Sequence, residues 1–192
     1  MRRLEKEMAA FFQELYPGES RALVFGEGDP GAKTVLIGEA PGEQEALQGR
    51  PFVGKAGKNL NELLEIAGLE RQSMYITNTV KFRPTRISDA GRVVNRPPTR
   101  EEIELFLPWL KKEIALIAPK RIVTLGNVPL KALIGKAATI GEMHGQYVLW
   151  QDVPVYPLYH PASLIYNRAL RPVYEEDVRR LGDLIRKEDA EG

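Results

Sequence analysis

Short apolar runs alternate with amphipathic stretches along this chain, a pattern that predicts strands and helices in alternation. The apolar runs are short enough for strands and are bounded by Gly, Pro or charged residues. Five such runs predict strands: TVLIG (34–38), MYIT (74–77), RIVTLG (121–126), QYVLW (146–150) and VPVYPLY (153–159). Because β and α segments alternate, most of these strands are expected to be parallel.

The amphipathic stretches predict helices between the strands. Apolar residues at helical spacing predict helices over 4–16, 57–68, about 99–118 and 128–135, and a last one that buries Val178, Leu181, Leu184 and Ile185. Thr99 followed by Glu102 forms a capping box for the third helix. Gly68 suits the C-terminal cap of the second helix.

The alternation predicts an α/β fold, a three-layer α/β/α sandwich with a central, mostly parallel four-stranded sheet. We expect a single domain over residues 1–192. In such sheets ligands bind beyond the carboxyl ends of the strands. The residues that follow the predicted strands are Glu39, Asn78, Asn127 and His160. The sequence therefore predicts that a carboxylate, two amides and an imidazole meet at one edge.

Composition narrows the class of protein. The chain is 43% hydrophobic and 28% charged, which is ordinary for a globular protein. No apolar run approaches the roughly 20 residues of a membrane helix, and charges interrupt the N-terminal apolar residues, so we expect a cytoplasmic protein without a secretory signal. With no cysteine and two histidines, neither a disulfide nor a metal site is predicted.

Positive charge is concentrated in one long predicted loop, residues 78–98, although the net charge is only +1. From this loop to the start of the next helix there are six basic residues and one acidic residue, Asp89. The basic residues are Lys81, Arg83, Arg86, Arg92, Arg96 and Arg100. Long loops inside a compact domain are usually functional or disordered. This loop therefore either faces phosphates or is an ordinary solvated surface.

A glycine-rich stretch, GRPFVGKAGKNL (49–60), almost matches the phosphate-binding loop G-x-x-x-x-G-K-[ST]. Position 56 is alanine, however, and offers no hydroxyl to a magnesium ion. The preceding strand also ends near Gly38, too early for that motif, whose strand leads directly into the glycine loop. A nucleotide hydrolase is therefore disfavoured.

Three longer motifs resemble another family. The segments GEAPGEQEALQGRPFVGKAG (38–57), YITNTVKFRP (75–84) and HPASL (160–164) resemble, in order and spacing, the motifs of the uracil-DNA glycosylase superfamily and especially its family 4 iron–sulfur branch. The resemblance runs from about Gly26 to the C-terminus. It implies an enzyme that swings uracil out of DNA and hydrolyses its bond to deoxyribose during base-excision repair.

One departure from that branch is large. The resemblance implies four cysteines that hold a 4Fe–4S cluster, and the corresponding positions here are Phe11, Glu14, Phe82 and Phe106. We therefore expect no iron–sulfur cluster and no other cofactor. A hydrophobic contact can replace the cluster as a link between segments, which predicts that Phe11, Phe82 and Phe106 lie close together.

The resemblance also implies roles in catalysis and base recognition. Asn78 would read the edge of uracil, because an amide pairs with the O4 acceptor and the N3–H donor and mismatches cytosine. Phe52 would stack on the base, and the backbone N–H of Ala40 would contact it. His160 would donate a hydrogen bond to the departing O2. Glu39 and Glu45 would orient water or stabilise the sugar cation, with their roles not separable from sequence.

Further residues are expected to contact DNA. Leu164 would fill the gap left by the extruded base. Gly54, Lys55 and Lys58, at a helix start, would hold a phosphate, and Arg83 and Arg86 would add salt-dependent affinity. The predicted partner is uracil-containing DNA, bound by a monomer. Two alternatives remain open: a glycosylase for another deaminated base such as hypoxanthine, and a DNA-binding homologue without activity.

Overall fold

A computed structural model describes residues 1–18 and 21–191 of the chain. Its strands are β1 (Glu27–Gly28), β2 (Thr34–Gly38), β3 (Tyr75–Asn78), β4 (Thr85–Ile87), β5 (Val93–Asn95), β6 (Arg121–Leu125), β7 (Val148–Trp150) and β8 (Val153–Leu158). Its helices are α1 (Arg2–Leu15), α2 (Glu43–Gln48), α3 (Lys55–Ile66), α4 (Arg100–Ile117), α5 (Asn127–Ile134), α6 (Ile140–Met143), α7 (Ser163–Tyr166) and α8 (Arg171–Glu191).

The central sheet has the strand order β1-β3-β2-β6-β8-β7. Strands β3, β2, β6 and β8 are parallel neighbours, which confirms the mostly parallel core of the prediction. The sheet has six strands rather than four, because β1 and β7 add antiparallel edges. Strand β1 is only two residues long, too short for any periodic pattern, and for this reason sequence could not reveal it.

The sheet is covered on both faces, which confirms the predicted three-layer α/β/α sandwich. Leu36 of β2 packs into a core cluster with α3 and α8. Its neighbours Val35 and Ile37 pack on the opposite face, in a cluster with α4 and α5. Since successive side chains of a strand point to opposite faces, a strand covered twice must be apolar throughout, and all five residues of β2 are buried.

The capping box at the start of α4 forms as predicted. The Thr99 hydroxyl accepts a hydrogen bond from Glu102 N at 3.2 Å, and Thr99 N donates to the Glu102 carboxylate at 2.7 Å. The helix continues through Pro108 to Ile117. This cap fixes where the chain returns to the sheet after the long segment that follows β3.

That long segment, predicted as a loop over 78–98, contains an antiparallel hairpin of β4 and β5. Ser88 and Arg92 close its turn, since Ser88 N donates to Arg92 O at 2.8 Å and Arg92 N donates to the Ser88 hydroxyl at 3.1 Å. Each strand has only three residues, two of them exposed, so no apolar and polar alternation predicted a strand. The hairpin stands beside the carboxyl edge of the central sheet.

An aromatic cluster joins α1, the segment after β3 and α4. The Phe82 and Phe106 rings lie 5.7 Å apart between centroids, as predicted, but the third ring is Phe12 rather than Phe11. Phe12 lies 5.6 Å from Phe82 and 5.7 Å from Phe106. Phe11 points outward, is 38% exposed and contacts Trp109. The prediction erred by one residue because it aligned α1 with a cysteine position, whereas the helical face that buries Met8 also buries Phe12.

Among the described residues, no helix combines the length and apolar character that crossing a membrane would require.

The adjacent phenylalanines Phe11 and Phe12 provide a matched test of the aromatic cluster. Phe12→Ala should lower the free energy of unfolding by about 3–5 kcal/mol, because it empties a buried ring position. Phe11→Ala should cost about 1 kcal/mol or less, because that ring is partly exposed. Urea unfolding followed by circular dichroism measures both. Equal losses for the two variants would contradict the assignment of Phe12 to the cluster.

Candidate active site

Two adjoining cavities open at the carboxyl edge of the parallel strands, where the sequence predicted a site. The main cavity has a volume of 430 Å³ and is lined by residues that include Phe52, Asn78 and His160. The side cavity, also of 430 Å³, is lined by residues that include Glu39 and His160. Volumes in this range suit a small ligand or a single nucleotide. The structure thus brings three of the four predicted strand-end residues together.

The fourth strand-end residue, Asn127, lies elsewhere. Its side-chain oxygen accepts a hydrogen bond from Ile140 N at 2.9 Å and so ties the start of α5 to the start of α6. The prediction that two amides from strand ends converge is therefore wrong. Position after a strand end did not distinguish an amide that faces a cavity from one that caps a helix.

Asn78 ends β3 with its side-chain amide at the cavity. The residue is only 3% exposed, and among the described residues its amide has no hydrogen-bond partner. A buried amide without partners is costly unless a ligand or water completes it. The arrangement can therefore bind a flat group that presents one donor and one acceptor.

A buried ion pair holds the backbone of Asn78. Lys81 Nζ lies 2.6 Å from Glu113 Oε2, and both side chains are almost fully buried. Lys81 also donates to the carbonyl oxygen of Asn78 at 2.8 Å and to the hydroxyl of Thr77. Glu113 in addition accepts a hydrogen bond from the Tyr75 hydroxyl at 2.9 Å. Through this network, α4 fixes the end of β3 and therefore the position of the Asn78 backbone, from which the side-chain amide extends.

Phe52 forms a wall of the main cavity in a backbone conformation rare for its residue type. Its φ is +52°, in the left-handed region, and such strain in non-glycine residues concentrates at functional sites. Arg71 holds the strained turn by donating to the carbonyl oxygens of Pro51 at 2.8 Å and Phe52 at 3.1 Å. The Phe52 ring lies 5.9 Å from the His160 ring. It therefore presents an aromatic surface to the cavity.

Two glycines explain why this segment resembles a phosphate-binding loop without being one. A Cβ on Gly57 would lie 1.9 Å from the carbonyl oxygen of Phe52, so only glycine lets α3 pack against that turn. A Cβ on Gly38 would lie 2.4 Å from the Asn78 side-chain oxygen and 2.5 Å from the Phe52 ring. Both glycines therefore serve close packing around the cavity rather than a phosphate cradle.

His160 follows β8 and faces both cavities. Ala162 N donates to His160 Nδ1 at 3.1 Å, which places the proton of the neutral ring on Nε2. Burial lowers the pKa of His160 to about 4, against a smaller opposing effect of the Glu45 carboxylate. At neutral pH the residue is therefore an uncharged imidazole that donates from Nε2 into the cavities.

The two predicted carboxylates differ in what their oxygens already bind. Glu45 accepts three backbone hydrogen bonds, from Gly42 at 3.1 Å, Val53 at 3.0 Å and Gly54 at 2.7 Å. The side-chain carboxylate of Glu39 has no hydrogen-bond partner among the described residues, and burial raises its pKa. Glu45 thus holds the glycine-rich loop together, while the carboxylate of Glu39 is available to a ligand in the side cavity.

Four of the eight basic residues predicted to face phosphates are paired internally. Lys81 is buried against Glu113, Arg83 contacts Glu43 at 3.2 Å, and Arg96 and Arg100 pair with Glu102 and Glu104. Within the described structure, Arg86, Arg92, Lys55 and Lys58 are exposed and have no acidic partner. Arg83 is engaged by Glu43, and the contact of Arg83 with DNA stays a prediction.

Two DNA-contact predictions change. The N–H of Gly54 donates to Glu45, so it is not free for a phosphate. Leu164 is 8% exposed and belongs to the main core cluster, so it cannot insert between bases without leaving the core. Its neighbours on α7 take the exposed position instead. Tyr166 is 87% exposed, Ile165 is 44% exposed, and both line the main cavity.

Sequence reasoning missed three residues near the cavities. Asn95 and Tyr166 line both cavities, and Arg168 lines a neighbouring cavity of 510 Å³ together with Leu164 and Ile165. None of them follows a central strand, so the rule for strand ends did not single them out. Across the described residues, no cluster of His, Cys, Asp and Glu is arranged to hold a metal ion.

Comparison with known proteins identifies the family. The family described as the Uracil DNA glycosylase superfamily matches residues 25–181. A Type-4 uracil-DNA glycosylase of Sulfurisphaera tokodaii is 42% identical over 83% of this chain and 73% of its own. One of Thermotoga maritima is 39% identical over 86% and 84%. A crystal structure of SMUG2 from Pedobacter heparinus superimposes with a TM-score of 0.56 at 13% identity, covering 99% of this chain and 85% of that one.

The protonation state of His160 can be measured directly, because the chain has only two histidines. In the His144→Gln variant, the one remaining imidazole should stay neutral as the pH falls from 8 to 5 and should titrate near pH 4. Burial disfavours the charged ring and causes this low pKa. NMR of the ring protons across the pH range measures it. A midpoint at the ordinary value of 6.5 would contradict the buried, neutral imidazole.

Proposed function

Because the chain belongs to the uracil DNA glycosylase superfamily, we propose that it is a uracil-DNA glycosylase that initiates base-excision repair. The enzyme hydrolyses the N-glycosidic bond between uracil and deoxyribose. The observation that carries the proposal is the convergence of three polar groups on adjoining cavities at the sheet edge: the carboxylate of Glu39, the amide of Asn78 and the Nε2–H of His160, none of which has a hydrogen-bond partner among the described residues. Each group has a task in this reaction.

Asn78 selects the base. Uracil presents an acceptor at O4 and a donor at N3, and an amide complements both at once. Cytosine inverts both groups, so a fixed amide would face donor against donor and acceptor against acceptor. The hydrogen bonds of Lys81 and Glu113 hold the Asn78 backbone in place. Phe52 stacks on the face of the base, and the backbone N–H of Ala40, which lines both cavities, offers a further donor.

His160 stabilises the leaving group. Cleavage of the glycosidic bond leaves negative charge on uracil, and a donor placed where that charge develops lowers the barrier. The Nε2–H of the neutral imidazole donates to O2 of the departing base. Because Ala162 N fixes the proton on Nε2, the ring needs no reorganisation when the bond breaks.

Glu39 acts on the sugar and on water. Its carboxylate is partly desolvated and has no hydrogen-bond partner within the described part of the chain, so it can orient the attacking water and stabilise the cationic sugar. Glu45 has a different role, since its two oxygens are committed to backbone N–H groups. It shapes the loop that carries Phe52 and adds negative potential to the main cavity. The proposal thus gives Glu39 and Glu45 separate roles, which the sequence alone did not distinguish.

DNA contacts the rim of the cavities. Lys55 and Lys58 at the start of α3, together with Arg86 of the hairpin, supply cations for phosphates. Ile165 and Tyr166 replace Leu164 as the residues that fill the space vacated by the extruded base, because they are the exposed apolar side chains beside the cavity. Residues 1–192 act as one domain and as a monomer, since one chain supplies every group named here.

An iron–sulfur cluster does not fit the residues present. The chain has no cysteine, and phenylalanines occupy the space where such ligands would be needed. We propose that the aromatic cluster of Phe12, Phe82 and Phe106 links α1, the segment after β3 and α4 in place of a metal cluster. At about 1.5–3 kcal/mol for each buried ring, the three rings together contribute an amount comparable with the net stability of a typical domain. The cytoplasmic location stays a prediction.

A base-release assay tests the function. The wild type should release free uracil from an oligonucleotide with one deoxyuridine, but no normal base. His160→Ala should lower kcat about 100- to 1000-fold, because it removes a donor to the developing charge. Asn78→Ala should lower kcat/KM about 10- to 100-fold, because it removes hydrogen bonds to the base.

The controls separate this function from its alternatives. His144→Gln removes the other histidine and should retain wild-type activity, since His144 pairs with Asp177 away from both cavities. Release of hypoxanthine but not uracil from matched substrates would identify a glycosylase for that base. Tight binding of DNA with no base released would identify a homologue without activity.

The pH dependence of kcat tests the role of Glu39. The carboxylate must be ionised to act, and burial raises its pKa. As the pH is lowered, kcat should therefore decrease, with a midpoint above the ordinary carboxylate pKa of 4.5. His160 stays neutral until about pH 4 and does not contribute to that limb. Glu39→Gln should lower kcat and abolish the limb. A variant that keeps the same acid limb would show that another group causes it.

A further inference from the structure

Asn95 has no role in the function described above, although it borders both cavities. It is the last residue of β5, is exposed, and lines the main and the side cavity at the rim they share. An amide at a cavity rim is available to a ligand only if the protein does not already use its donor and its acceptor. The neighbouring side chains decide that question.

Arg83 uses the acceptor of Asn95 and leaves the donor. Arg83 Nε donates to Asn95 Oδ1 at 2.6 Å, and the other side of the guanidinium lies 3.2 Å from Glu43. This bond identifies which end of the amide is oxygen. The Nδ2 group has no partner among the described residues. The site therefore offers an N–H donor to an acceptor on a ligand.

The backbone of Asn95 is held rigidly. Asn95 pairs with Thr85 across the hairpin. The next residue, Arg96, donates to both oxygens of Glu102, at 2.6 and 2.7 Å, and to the carbonyl oxygen of Thr85 at 3.0 Å. A donor fixed in this way loses little conformational entropy when it binds.

The remaining acceptors of the nucleotide identify what Asn95 binds. In the proposed function, O4 and O2 of uracil take their hydrogen bonds from Asn78 and His160. An extruded nucleotide with its base against buried Asn78 has its phosphodiesters at the rim, where Asn95 is exposed. We propose that Asn95 Nδ2 donates a hydrogen bond to a phosphodiester oxygen next to the extruded deoxyuridine, with Arg83 as the positioning residue that aims the amide. This inference rests on the proposed function and extends it.

Asn95 variants test the contact when they are combined with modified substrates. Two oligonucleotides carry an uncharged methylphosphonate linkage on the 5′ or the 3′ side of the deoxyuridine, and a third is unmodified. On the unmodified substrate, Asn95→Ala should lower kcat/KM about tenfold, the value of one hydrogen bond to a charged group. Asn95→Asp should lower it further, because a carboxylate cannot donate and repels phosphate.

One of the two methylphosphonates should reduce the wild-type kcat/KM more than it reduces that of Asn95→Ala, because the variant has no contact left to lose. Equal penalties for both proteins at both positions would overturn the proposal. Arg83→Ala should lower kcat/KM in the wild type but have little further effect in the Asn95→Ala background. Additive losses would overturn the assignment of Arg83 as a residue that acts through Asn95.

A matched control is available in Asn61, which also accepts a hydrogen bond from an arginine, Arg71, but lies outside both cavities. Asn61→Ala should retain the wild-type response to both methylphosphonates. Fluorescence anisotropy with the same labelled oligonucleotides gives the binding affinities independently of cleavage. If the wild type released no uracil, the proposed function would fail, while the affinities of the wild type and Asn95→Ala would still decide whether the contact exists.

Discussion

The buried ion pair between Lys81 and Glu113 is the interaction on which the rest of the site depends. It joins α4 to the end of β3 and bonds the carbonyl oxygen of Asn78. A buried pair of this kind adds little net stability, because desolvation offsets the attraction, yet removing one partner costs about 3–5 kcal/mol. What the pair provides is position. An amide that discriminates two bases by the direction of its hydrogen bonds has to start from a fixed backbone.

Burial acts on the two titrating groups of the site in opposite directions. It lowers the pKa of His160 to about 4 and raises that of Glu39, so each is pushed towards its neutral form. In the proposed reaction, the neutral form of His160 is the useful one, since it keeps a fixed donor and no competing charge. In the same proposal the ionised form of Glu39 is the useful one, and a poorly solvated carboxylate interacts more strongly with a developing sugar cation than a hydrated one would. The same desolvation therefore favours both roles.

Sequence revealed the residues whose position follows from the sheet, and missed those that depend on contacts distant in the chain. Glu39, Asn78 and His160 follow buried apolar strands, and the edge rule brings strand ends together. That rule does not show which way a side chain faces, and for this reason it misplaced Asn127. The role of Leu164 came from the resemblance, which does not show that its side chain is buried in the core. The one-residue error at Phe11 has the same origin, because alignment to a motif ignored the face of α1. Asn95 depends on a hairpin with no periodic signal.

The segment from Lys81 to Arg100 has less positive charge available to phosphate than its sequence suggests. Four of its six basic side chains are satisfied by carboxylates of the protein: Lys81, Arg83, Arg96 and Arg100. Such pairs serve as scaffolding, since Lys81 fixes Asn78 and Arg83 fixes Asn95. An arginine or lysine whose charge is neutralised internally gives up long-range attraction for phosphate but gains a fixed geometry. In the proposed function of this chain, whose net charge is +1, neutral donors held at set positions select the nucleotide, and the exposed cations at the rim contribute affinity that depends on salt.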